Sequence, residues 1–155
     1  IKSLFYTFTD DAEKKFVLAT LGAVNDSKLK LATLEWSISG EIKLQDFFYP
    51  MGSVGHSSRE GAEIGWQFFQ DKFDEIRGMV GKANPSLLDA CIVNCAGGFC
   101  SVEKADEIEA FFDAHPLPQS ARKIAQTLEG MRTNSKFLDK LKASELSTEL
   151  FWGSL

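Results

Sequence analysis

Histidine is scarce in this chain of 155 residues, with His56 and His115 lying far apart. A hydrolytic zinc site needs two histidines one helical turn apart with a glutamate between them, because side chains at that spacing share a face. Neither histidine has such a partner, so this chemistry is excluded within these residues. No apolar run approaches the roughly 18 to 20 residues of a membrane-spanning helix, and the N-terminus lacks a charged start followed by a hydrophobic signal stretch. There is no basic cluster either: 17 Lys and Arg stand against 22 Asp and Glu, for a formal charge of -5. No face could neutralise several phosphates, which argues against nucleic acid as a partner. No stretch alternates apolar and polar residues convincingly, and that argues against a sheet.

Apolar residues make up 44% of the chain and charged residues 25%, the balance of a folded globular protein able to bury a core. Ile1 replaces the usual Met, and Leu4, Phe5 and Tyr6 arrive before any helix start signal. The chain reads as a fragment beginning in mid-structure, a start that a processed protein would share. Contacts severed near these residues would expose an apolar patch and favour self-association.

Asp10 followed by Glu13 is a capping box, from which a helix should run to about Gly22. Asn25 and Asp26 start a second, with Leu31, Leu34 and Ile38 on one stripe and Gly40 as a left-handed terminator. The apolar segment 42–54 contains Pro50, which predicts a kinked or short helix. A loop is expected over Gly52, Ser53, Gly55, His56 and Ser57, after which Ser57 and Glu60 cap a helix carrying Ala62, Trp66, Phe69, Phe73, Ile76 and Val80.

Asn84 and Pro85 open the next helix, and Gly97 with Gly98 closes it. Ser101 begins another, with Val102, Ala105, Ile108 and Phe112 inward, ending before Pro116 and Pro118. Ala121, Ile124, Ala125, Leu128 and Met131 continue the helical period, and Leu138, Leu141, Leu146 and Leu150 finish the chain in one or two short helices. The fold expected is all-α, a single helical domain over residues 1–155. Its helix pairs recur every 35 to 45 residues or so, as in an α-solenoid of antiparallel pairs of the HEAT or armadillo kind.

Cys91 and Cys95 lie one helical turn apart and Cys100 follows the glycine pair. Structural zinc wants four ligands and no fourth is in view, so these read as small core residues, with no metal ligand assigned in the chain. A thiol nucleophile would need a base that the sequence does not bring near. Three cysteines without a secretory signal suggest free thiols in a reducing, cytoplasmic setting. Trp66, Phe68, Phe69 and Phe73 have core spacing. Arg59 stands beside the Gly55, His56, Ser57 loop, where it either meets an anionic group such as a peptide carboxylate or pairs with a carboxylate on a neighbouring helix. His56 and Arg59 are therefore the candidate contact residues, and no catalytic residue is assigned.

Three passages resemble the C-terminal domain of puromycin-sensitive aminopeptidase and its relatives, including the endoplasmic-reticulum aminopeptidases. They are Ser58, Arg59, Glu60 leading to Gly65, Trp66, Gln67, Phe68, Phe69 and Phe73; Gly98, Phe99, Cys100, Ser101; and Glu109, Ala110, Phe111, Phe112, Asp113, Ala114, His115, Pro116. The resemblance implies stacked antiparallel helices that close over a catalytic domain of the same polypeptide and shape a chamber for peptide substrates. It also implies zinc in that catalytic domain and no cofactor in this chain. The family's zinc-binding and Gly-x-Met-Glu-Asn motifs are missing here, so no catalytic role is carried to any residue. A different reading, a free-standing HEAT-like interaction module, is allowed by composition.

Overall fold

The computed structural model describes residues 1–80, 84–148 and 153. Among them the regular structure is entirely helical: α1 (Lys2–Thr7), α2 (Asp11–Thr20), α3 (Ser27–Ser37), α4 (Phe48–Gly55), α5 (Arg59–Asp71), α6 (Phe73–Val80), α7 (Pro85–Ala96), α8 (Val102–Ala114) and α9 (Ala121–Lys142). Short 3₁₀ turns occupy Leu21–Ala23, Pro118–Ser120 and Glu145–Ser147.

Local capping chemistry sets most of the helix starts. Asp10 Oδ1 accepts from the amides of Ala12 (2.8 Å) and Glu13 (3.2 Å), and Asp26 Oδ1 accepts from Leu29 (2.9 Å). Ser101 Oγ accepts from the amide of Lys104 at 3.1 Å. These bonds satisfy backbone donors that a first helical turn leaves unpaired. Gly40 takes the left-handed conformation expected of it, with φ of 86°.

Several expectations are corrected. The buried stripe of α3 is Lys30, Thr33, Leu34 and Ser37 together with Trp36, while Leu31 is exposed. α3 packs against α4, α5 and the Leu21–Ala23 turn, and this sandwiched setting turns a more polar stripe inward. The short helix expected around Pro50 is present as the eight-residue α4, with Pro50 in the first turn, where its missing N–H is not needed. Gly52, Ser53 and Gly55 are helical, not loop. Gly55 is required by close approach: a Cβ there would run into the backbone oxygen of Asn94 on α7.

The cap of α5 is Ser58, one residue later than expected, its Oγ accepting from Gly61 N at 2.9 Å. The helix expected through Val80 breaks at Lys72 into α5 and α6, although Ala62, Trp66, Phe69, Phe73, Ile76 and Val80 are all buried. Asn84 precedes α7 without a side-chain cap, its Oδ1 accepting instead from Ser86 Oγ. Val102 is partly exposed, whereas Ala105, Ile108 and Phe112 point inward. α9 runs unbroken for 22 residues and includes Leu138 and Leu141, since no proline interrupts it. Leu146 lies in the last 3₁₀ turn, and Leu150 falls outside the described residues.

Two rows of helices emerge from the packing. In one, α2 meets α4, α4 meets α7 and α7 meets α9. In the other, α3 meets α5, and α5 meets α8 through side chains of Trp66 and Glu63. A continuous apolar core runs between the rows, from Leu18 and Leu34 through Phe47, Met51, Trp66 and Ile92 to Leu128 and Met131.

Candidate functional site

His56 is the C-terminal cap of α4 and Arg59 the first residue of α5, so both project from the tight link between these helices. Both are exposed. Arg59 makes no ion pair among the described residues, and Glu60 beside it accepts instead from Ser27 Oγ at 2.6 Å. A cation at a helix N-terminus is disfavoured by the helix dipole, so helix stability does not account for Arg59. The arrangement presents a guanidinium and an imidazole to solvent from one short link.

The link is locked from beneath by a residue that the sequence reading passed over. Lys30 is 2% exposed, and its ammonium donates to Val24 O (2.6 Å), Ser57 Oγ (2.9 Å) and Gly22 O (3.2 Å). Three protons thus meet three acceptors. Ser57 Oγ in turn donates to Val54 O at 2.8 Å. No carboxylate partners Lys30 among the described residues; backbone carbonyls and a hydroxyl take that place, which is how a buried charge is tolerated. The available signal was a lysine one turn before Leu34 and two before Ser37, on the stripe that turns inward.

The thiols do not form a reactive group. Cys91 and Cys95 are buried on α7 and Cys100 is exposed, all three free. Burial pushes the Cys95 thiol up to about 12 and raises Cys91 well above its ordinary value, with the neighbouring Cys95 adding to the effect. Neutral buried thiols are poor nucleophiles and poor metal ligands. His115 is stacked on Phe111 with centroids 4.4 Å apart and lies against Phe73, its Nδ1 2.9 Å from the Phe111 carbonyl. No group of three His, Cys, Asp or Glu among the described residues could hold a metal ion.

The remaining polar chemistry holds helices together. Trp66, 2% exposed, packs on Phe69, Phe111 and Phe112, and its Nε1 donates to Glu107 at 3.1 Å. Lys104 bridges Glu107 (2.8 Å) and Glu63 (3.0 Å) and lies over the ring of Phe99. Lys104, with Trp66, holds the Glu107 carboxyl below its ordinary range. The three passages that carry the family resemblance, 58–73, 98–101 and 109–116, meet at this α5–α8 seam.

The class so defined is an all-α domain whose aromatic seam and polar clasps join helices, with a basic link at one edge. The chain belongs to the ERAP1-like C-terminal domain family, whose model matches residues 2–133. It is 30% identical over 146 residues to Aminopeptidase M1 of Arabidopsis thaliana, covering 94% of this chain and 16% of that protein. It is 26% identical over 131 residues to Aminopeptidase M1-B of Oryza sativa subsp. japonica, covering 84% and 14%. It is 28% identical over 105 residues to the Puromycin-sensitive aminopeptidase of Caenorhabditis elegans, covering 64% and 11%. The chain spans about a sixth or less of the length of these relatives. No helix among the described residues is long and apolar enough to cross a membrane.

Proposed function

We propose that residues 1–155 act as one non-catalytic C-terminal unit of a zinc aminopeptidase that removes N-terminal residues from peptides, and that this unit forms and gates the internal peptide chamber. Zinc and the reacting groups belong to a catalytic domain of the same polypeptide. Family membership supports that partnership, and the progression of helix packing along the chain supports a HEAT-like stack with a surface suited to an extended ligand. Three free cysteines support a reducing, cytoplasmic setting.

The observation that carries the reading is the exposed pair His56 and Arg59 on a link held rigid by the buried Lys30 ammonium. A rigidly placed guanidinium suits a peptide carboxylate, and binding energy gained far from the scissile bond selects among substrates. The α1–α2 face supplies the join to the upstream polypeptide: Ile1, Leu4, Phe8 and Phe16 line an apolar groove there, and Ile1 and Phe16 are strongly exposed. Left uncovered in the isolated chain, this groove would drive self-association.

The test is His56→Ala with Arg59→Ala in the full-length polypeptide, assayed on single-residue fluorogenic amides and on peptides of increasing length. Long peptides should lose roughly tenfold in kcat/KM, the loss of one charge-assisted hydrogen bond, while the short amides are turned over as before. Equal kinetics for wild type and variant on every peptide length would overturn the assignment of these two residues.

A further inference from the structure

A second concavity lies away from the His56–Arg59 link, between α4, α7 and α9. Its volume is about 460 Å³. Phe48, Ala90 and Val93 give it an apolar wall, and Asp89 and Ser86 of α7 face it along with Lys123 of α9. Asp89 Oδ1 is buried and has no hydrogen-bond partner among the described residues. Lys123 enters no ion pair among the described residues, with Asp89 or with any other group.

A buried carboxylate oxygen without a donor is costly, and native folds keep few of them. Lys30 finds three acceptors and Trp66 Nε1 finds Glu107, whereas Trp36 Nε1 and Ser120 Oγ, like Asp89 Oδ1, are buried without a hydrogen-bond partner among the described residues; of these three unpaired groups, Asp89 alone belongs to a residue lining this cavity. An acid and a base on the walls of one cavity, not joined to each other, form a complementary pair for a ligand that carries both charges. The apolar wall then receives a side chain, and the Asn94 Nδ2 bond to Phe48 O at 3.1 Å fixes one rim. Pockets of a few hundred cubic ångströms with a few convergent polar groups are the usual size for small molecules.

We infer that this pocket binds a small zwitterion of α-amino-acid size with an aliphatic side chain, its ammonium on Asp89, its carboxylate on Lys123 and its side chain against Phe48 and Val93. The proposed chamber function bears on this only as the source of the ligand, since trimming a peptide from its N-terminus releases free amino acids. The pocket would then sense the product of the reaction.

The experiment uses three probes on the 155-residue chain: L-leucine, L-leucinamide without the carboxylate, and N-acetyl-L-leucine without the ammonium. Amide chemical shifts of α7 and of the first turn of α9 are followed by NMR. L-Leucine should give saturable shifts at Ala90, Val93 and Lys123, with each of the other probes weaker by about tenfold, the loss of one charge-assisted contact. Asp89→Asn should weaken L-leucine similarly without affecting N-acetyl-L-leucine, and Lys123→Met should weaken L-leucine without affecting L-leucinamide. Thermal melting shows whether each variant is folded, and either one suffices. Absence of saturable shifts with L-leucine, equal response to all three probes, or full binding by a folded variant would overturn the inference. The measurement needs no peptidase activity, so a negative result leaves the chamber reading intact and failure of the chamber reading leaves a positive one standing.

Discussion

The α5–α8 seam and the α1–α2 end are built from similar side chains and end in opposite states. Phe69 is fully buried and Trp66 nearly so, whereas Phe16 is 75% and Ile1 68% exposed. At the seam each apolar face meets a second helix, and the one polar atom of Trp66 finds Glu107. At the open end α1 has six residues, none of them buried, and leans on α2. Aromatic content therefore does not mark the core of this chain; what marks it is a second layer to close each face. The open face is apolar and is left uncovered by the described residues.

Breaking the seam should have the largest effect. Trp66→Ala removes a ring packed on Phe69, Phe111 and Phe112 and leaves Glu107 without its indole donor. The expected loss is about 4 kcal/mol of unfolding free energy, the upper range for a buried aromatic. Urea denaturation followed by circular dichroism checks this, and a loss under about 1 kcal/mol would show that the seam is not the structural centre of the fold.

Lys30 stands between the two extremes, a charge in a setting as dry as the seam. Lys30→Met keeps much of the side-chain volume but strips the donor from Val24 O, Gly22 O and Ser57 Oγ. We expect a loss of about 2 kcal/mol, the scale for hydrogen bonds to a charged group. The matching structural readout is faster amide exchange over residues 56–58, where the link loses its anchor. Unchanged exchange there would refute the anchoring role while leaving the stability result to stand by itself.

Much of this fold is legible in local chemistry. Asp10, Asp26 and Ser101 cap helices because an acceptor side chain sits where backbone donors go unpaired, a relation completed within three residues. What was misread depends on partners distant in sequence. Gly52 and Gly55 look like loop residues until Asn94, some forty positions later, requires the space. Lys30 looks like surface until its three acceptors, drawn from residues 22, 24 and 57, are assembled around it. The site divides in the same way. His56 and Arg59 were visible as polar residues beside a helix start, but their anchor and the Asp89–Lys123 pocket exist only once α3, α4, α7 and α9 are packed.

The smallest effect should come from Phe16→Ser, and its smallness carries the information. Phe16 is 75% exposed, so in the 155-residue chain the substitution removes little packing and should alter stability by no more than about 0.5 kcal/mol. If the α1–α2 face joins the upstream polypeptide, the same ring is buried in the full-length protein, where its loss should cost about 3 kcal/mol, near the value for a covered Phe. The comparison of the two melts, not either one alone, tests the join. A full-length protein as indifferent to Phe16→Ser as the isolated chain would show that this face stays open and that the upstream polypeptide docks elsewhere. Light scattering on the isolated chain adds the complementary readout: the substitution should shift any self-associated population toward monomer, because the exposed apolar groove is then the only face being weakened.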